Sequence, residues 1–132
     1  MRNNSINLQA TQRQFVASID VPKIHRLLGI HFPTSEVWLY PGVIKHVQRR
    51  HPGIIEKYYM DIPHMITTPD YIGNHPKEPF SIELYKYVTD TLLLAIKLDP
   101  SGYLFISSLY DLNNPSVKIQ KRLRSGRIVA FI

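Results

Sequence analysis

The stretch TLLLAIKLDPSGYLFISSLYDL, residues 91 to 112, constrains this chain more than any other. Two runs of leucine, β-branched and aromatic residues flank a Pro-Ser-Gly tip, which is the pattern of an antiparallel hairpin. With a three-residue loop and Gly102 in the left-handed conformation, Asp99 faces Tyr103, and the ladder runs outward from there. Leu92, Leu94, Ile96 and Leu98 then share the core face with Leu104, Ile106, Ser108 and Tyr110. The opposite face carries Lys97 beside Phe105, with Ser107 diagonal to Lys97. In this register Tyr110 faces the core, so a surface role for it requires a bulge.

The remaining elements fall around the hairpin. Residues 1–14 are polar and aperiodic and read as a flexible N-terminal tail, leaving 15–132 as a single domain. FVASID is a short strand, VPKIHRLLG a short helix closed by Gly29, and SEVWLY a second short strand. Pro41 and Gly42 open a helix that stops near Arg50, because Pro52 pushes its predecessor out of the helical region. Pro52 starts a further helix, PGIIEKYYMDI. Residues 67–79, TTPDYIGNHPKEP, read as a loop. FSIELYKYV is a strand, NPSVKIQKRLRSG a helix ended by Gly126, and RIVAFI an edge strand. The expected class is α+β, with N-terminal helices packed on one face of a C-terminal antiparallel β-meander and the other face free.

With 44% hydrophobic and 20% charged residues, the 132-residue chain is a folding one. The absence of cysteine removes disulfides, thiolate zinc sites and cysteine nucleophiles. The polar start and the shortness of the longest apolar run, LLLAI, point to synthesis in the cytoplasm without a spanning segment. Sixteen Lys and Arg against ten Asp and Glu give +6. Residues 1–52 hold seven bases and two acids, 53–99 four and seven, and 100–132 five and one. Two basic ends around an acidic middle are the footprint of a phosphate-binding protein.

Within IKHVQRRHP, residues 44 to 52, Ile44 and Val47 mark the apolar face of the helix and Lys45 and Arg49 point away from it. His46 and Arg50 stack on one flank, at the border of core and solvent, and His51 falls near the apolar centre. Lys97 and Ser107 on the open sheet face make a phosphate site. The last helix and the turn after it supply Lys118, Lys121, Arg122, Arg124 and Arg127, with no acid after Asp111. Surface helices normally interleave bases with acids four residues away, so this stretch suits a polyanion. No HExxH, Walker loop or GxGxxG is present, and the six scattered histidines lack acidic neighbours at ligand spacing; no metal and no cofactor is expected. What remains is His-Lys-Ser-Arg chemistry. It suits RNA, whose own 2′-hydroxyl can attack the adjacent phosphate if a base, an acid and cations are supplied.

GVIKHVQRRHP, then IP.MITTPDYIG, SIELYK, LLLAIKLD..GYLFISSLYDL and RLRSGRI, in that order over residues 41 to 128, resemble the phage-associated nucleases grouped with barnase, EndoU, the tRNA-cleaving colicins and RelE. The resemblance implies a small α+β fold of helices on an antiparallel sheet, metal-independent ribonuclease activity, and use as a phage- or mobile-element-encoded toxin or effector. It points to His46, Arg50, His51, Asp70, Tyr71, Lys97, Ser107 or Ser108, and Arg127. The resulting expectation gives acid and base work to His46 and His51. Lys97 and Arg50 stabilise the transition state, Ser107 and Tyr110 orient the phosphate, and the last helix, with Asp70 and Tyr71, holds RNA. A small acidic inhibitor or immunity protein is the expected protein partner, and delivery to another cell is a further expectation. The rival expectations are a non-catalytic nucleic-acid-binding module, for which Phe105 supplies a stacking aromatic, and a phage interaction protein that keeps the fold without the activity.

Overall fold

The computed structural model describes residues 6–132. Its elements run β1 (Gln14–Ser18), α1 (Val21–Leu28), β2 (Glu36–Leu39), α2 (Pro41–Arg50), α3 (Ile54–Tyr58), a 3-10 turn (Tyr59–Asp61), α4 (Ile62–Thr67), β3 (Tyr71–Asn74), β4 (Ser81–Tyr87), β5 (Thr91–Leu98), β6 (Leu104–Asp111), α5 (Pro115–Ser125) and β7 (Ile128–Ala130). The class is α+β. One seven-stranded sheet has the order β1-β2-β6-β5-β4-β3-β7, antiparallel except where β2 pairs with β6.

Alternation along the strands builds the main core. Ile82 and Leu84 of β4, Leu92, Leu94 and Ile96 of β5, and Leu104, Ile106 and Leu109 of β6 are all buried, together with Ile24, Ile44, Val47, Ile55, Ile62, Met65 and Ile66 of α1 to α4. Each such side chain contributes roughly 1.5–3 kcal/mol when fully buried. Helix α1 is capped by Asp20, whose side chain accepts the Lys23 N–H, and closed by Gly29 at φ 75°. Helix α2 ends at Arg50 as the Pro52 rule requires.

Several expectations are corrected. Residues 1–5 of the tail lie outside the described residues, but the rest of it is not loose: Ile6 is buried in the core, and Asn7 and Gln14 exchange hydrogen bonds of 2.8 and 2.9 Å. Helix α3 starts at Ile54 rather than Pro52, because Gly53 adopts φ 84° in the turn between the helices. Within the expected loop 67–79, Tyr71–Asn74 forms β3, bracketed by β4 and β7. Four residues containing Gly and Asn have no local strand signal, and their pairing is entirely non-local.

The hairpin register holds from Leu98 opposite Leu104 to Ile96 opposite Ile106, and then a bulge at Ser107 shifts it, so that Ala95 faces Ser108 and Leu93 faces Tyr110. One inserted residue reverses the facing of everything beyond it. Ser108 and Tyr110, expected in the core, therefore lie on the open face, and Leu109 takes the core position. That face is not wholly free either. Tyr85, Leu93, Leu112 and Ile128 form a second small core with Ile119 of α5 packed against it.

Candidate active site

Glu83 sits mid-strand in β4, on the face away from the main core, between Gly73 of β3 and Ala95 of β5. Two small cross-strand neighbours leave room above its carboxylate, and cations and hydroxyls fill that room. Gly126, at φ 81°, ends α5 and turns the chain back over β3. A Cβ on Gly73 would lie 2.3 Å from the Arg127 carbonyl oxygen, so only glycine lets this segment come so close.

Arg127 grips Glu83 with three contacts: Nε and Nη2 donate to Oε1 at 3.2 and 3.1 Å, and Nη2 donates to Oε2 at 3.0 Å. The Tyr85 hydroxyl donates to the same Oε1 at 3.0 Å, and Arg122 Nη1 donates to the Tyr85 oxygen at 2.8 Å. Glu83 and Tyr85 are buried, and both arginines are half-buried. Across β5, Tyr85 and Tyr110 flank Leu93. The His51 ring, at the C-cap of α2, stacks on Tyr110 with centroids 5.1 Å apart and planes 21° from parallel. The His51 amide donates to the Val47 carbonyl at 2.8 Å, and α2 packs against β6; these place the imidazole.

The electrostatics follow from this crowding. Burial first, then the Glu83 charge, holds both the Tyr85 and Tyr110 phenols above their usual range, with the arginines opposing. Burial works against the charge on Arg127, and the Glu83 carboxylate more than offsets it, leaving the guanidinium more basic than usual. Both phenols are thus neutral hydrogen-bonding groups at physiological pH. Two guanidiniums against one carboxylate leave the cluster cationic. Neutral phenols beside fixed guanidiniums on a half-open surface can hold a phosphodiester.

Among the sequence-predicted residues, the fold brings together His51, Tyr110, Arg122 and Arg127. His46 is half-buried and Arg50 exposed on α2, and neither hydrogen-bonds to this cluster among the described residues. Lys97 lies opposite Phe105 and Ser81, as the register requires, and its ammonium pairs with Glu78 at 2.9 Å. Ser107 occupies the bulge, its hydroxyl donating to the Ala95 carbonyl at 3.3 Å. Asp70 clips β3 to β4: its carboxylate accepts the Tyr87 N–H at 2.8 Å and faces Lys86 at 3.7 Å. With Tyr71 it lines a cleft of about 520 Å³ between α5 and the sheet, which Tyr85, Ile119 and Leu123 also border. Lys118 is half-buried, and Lys121 and Arg124 are exposed on α5.

Glu83 and Tyr85 were not among the sequence candidates. Their signal was the alternation in SIELYKY, which puts Ser81, Glu83 and Tyr85 on the face opposite Ile82 and Leu84. An acid at that position in a strand buried on both faces requires a cationic partner.

No group of three or more His, Asp or Glu able to hold a metal ion is present among the described residues, and no helix among them is long and apolar enough to cross a membrane. Imidazole, guanidinium and carboxylate groups thus meet beside the basic helix α5 of a small α+β domain. Residues 14–120 match the family described as phage-Barnase-EndoU-ColicinE5/D-RelE like nuclease 3, and the chain belongs to that family. No curated protein and no solved structure matches the chain. The family match spans His51, Glu83, Tyr85 and Tyr110 and stops before Arg122 and Arg127.

Proposed function

We propose that this nuclease is a metal-independent endoribonuclease that cuts RNA by attack of the 2′-hydroxyl on the adjacent phosphate, leaving a 2′,3′-cyclic phosphate. The observation that carries the reading is the connected cluster of Arg127, Glu83, Tyr85 and Arg122 beside the Tyr110–His51 stack. A phosphodiester settling against Arg122 and Arg127 competes for the guanidinium that now covers Glu83. The freed carboxylate takes the 2′-hydroxyl proton as the 2′ oxygen bonds to phosphorus. His51 supplies a proton to the 5′ oxygen as its bond to phosphorus breaks. The arginines, with the Tyr85 and Tyr110 hydroxyls, stabilise the charge that builds on the phosphoryl oxygens. From the sequence, acid and base work fell to His46 and His51, and charge stabilisation to Lys97 and Arg50. Here His51 keeps one share and Glu83 takes the other, because Tyr110 stacks on His51 and lies in the field of Glu83, whereas Lys97 sits in the next row of the sheet beside Phe105. The phage association of the family supports use as a phage- or mobile-element-encoded toxin or effector. A small acidic inhibitor would have this cationic face to cover.

Incubation of the protein with RNA in EDTA tests the reading. Cleavage leaving 2′,3′-cyclic ends is expected, and Glu83→Gln and His51→Ala should each lower kcat by roughly 100-fold or more. Binding of RNA without cleavage would overturn the enzyme reading in favour of a binding module.

A further inference from the structure

The sheet face that carries Glu83 continues past the cluster, toward β1, as an aromatic surface. One row of cross-strand partners runs over five strands: Ser81 of β4, Lys97 of β5, Phe105 of β6, Trp38 of β2 and Phe15 of β1. It lies one side-chain step along β4 from the row of Gly73, Glu83, Ala95 and Ser108. Strand spacing puts Phe105 about 10 Å across the sheet from β4. Between the two ends the floor is Ala95, Ser107 and Ser108, small residues that stay partly exposed.

Phe105 is not alone. Its ring lies 5.9 Å from Tyr103 and 6.5 Å from Tyr40, those two tyrosines are 5.7 Å apart, and Phe15 meets Trp38 edge-on at 5.9 Å. All five rings are half-buried rather than covered. The Tyr103 phenol is pushed up to about 12, Tyr40 alongside being the main cause, so the ring carries no charge that would repel phosphate. The Arg13 guanidinium lies 4.0 Å over Trp38, a fixed cation at the far end of the row. The Lys97–Glu78 pair is partly exposed, with side chains 39% and 45% accessible, and such a pair exchanges readily for another anion.

We propose that Phe105, Tyr103 and Tyr40 form a base-stacking platform for unpaired nucleotides of the RNA strand, flanking the scissile phosphate held at Arg127, with Trp38 and the Arg13 over it at the platform's edge. The proposal builds on the ribonuclease reading and adds the substrate's form: a single strand whose bases splay onto the sheet. Aromatic rings accept any base face, so the platform selects strandedness more than sequence. Lys97 and Arg13 lie where the backbone of such a strand would pass.

Trp38 is the sole tryptophan of the chain, so its emission reports on this surface alone. The probe is a short uncleavable 2′-O-methyl oligonucleotide, titrated against the full chain and compared with a duplex of the same sequence and an abasic strand of the same length. The single strand should quench Trp38 at low concentration, and the duplex and the abasic strand should need roughly tenfold more or fail to quench. Phe105→Ala should raise the dissociation constant, and KM on cleavable RNA, by roughly tenfold, the size of one lost stack, with kcat within twofold. Phe105→Leu, which keeps the buried volume and removes the π face, should behave alike if the variant folds as the parent does. Equal quenching by abasic and intact strands, or an unchanged dissociation constant in both variants, overturns the platform. Quenching without cleavage of any RNA leaves the platform standing and sinks the ribonuclease reading instead. Cleavage with no quenching does the reverse.

Discussion

Replacing Arg127 by methionine isolates the contact on which the site depends. The wild-type guanidinium makes three hydrogen bonds of 3.0 to 3.2 Å to a carboxylate whose side chain is 4% accessible, while its own side chain is 29% accessible. Removing one partner of a buried pair costs about 3–5 kcal/mol, because the other charge is left without compensation. The exposure of Arg127 lets water replace part of what is lost, and the retained Tyr85 hydroxyl still donates to Glu83, so a loss of about 2–3 kcal/mol is expected here. For a chain of this size that corresponds to a fall in Tm of roughly 6–10 °C. Urea denaturation at neutral pH measures the loss directly. Glu83→Gln/Arg127→Met should recover part of the loss of the single Arg127→Met variant, since an amide tolerates the vacated site better than a carboxylate does. A loss under about 1 kcal/mol in Arg127→Met, or strictly additive effects in the double variant, would refute the argument that this pair locks β7 and the α5 turn onto β4.

Three further outcomes are expected. Gly73→Ala puts a methyl 2.3 Å from the Arg127 carbonyl and 2.7 Å from Ile128 Cγ2, so it should cost about 2–3 kcal/mol and lower kcat by displacing Arg127; parent-like melting and activity would count against it. The Tyr85 and Tyr110 phenols, raised first by burial, and Tyr103, raised to about 12, favour the fold fully below pH 10, and their contribution is lost as the pH climbs from there through the folded values. Absorbance at 295 nm should therefore show fewer than eight tyrosines ionising together near pH 10, with the rest released on unfolding; a single phase of eight would exclude the buried hydroxyl network. His46→Ala should retain most activity while His51→Ala loses it, as read by initial rates on RNA, and the opposite order would return the chemistry to the flank of α2.

The helix flank of His46 and Arg50 and the strand position of Lys97 show what a sequence reading weighs: residue type and local periodicity. Both were correctly placed on their elements, yet the polar cluster formed elsewhere. Ser107 explains part of the difference, since an inserted residue mid-strand carries no local mark and still moved Tyr110 to the open face. β3 explains another part. Tyr71–Asn74 reads as loop because its pairing partners lie in β4 and in β7, far along the chain.

Local rules were enough for the hairpin as far as Ile106, the end of α2 before Pro52, the Gly29 and Gly126 helix ends and the basic character of α5, because each depends on backbone sterics or side-chain alternation within a few residues. They also sufficed for the family. Tertiary structure alone decided that Glu83 meets Arg127, 44 residues on, that His51 lies on Tyr110, and that Phe15, Trp38 and Phe105 share one row. Those meetings depend on strand order and on register shifts in β1 and β6, which are settled when the whole sheet closes over a common core, and a short window of sequence contains neither.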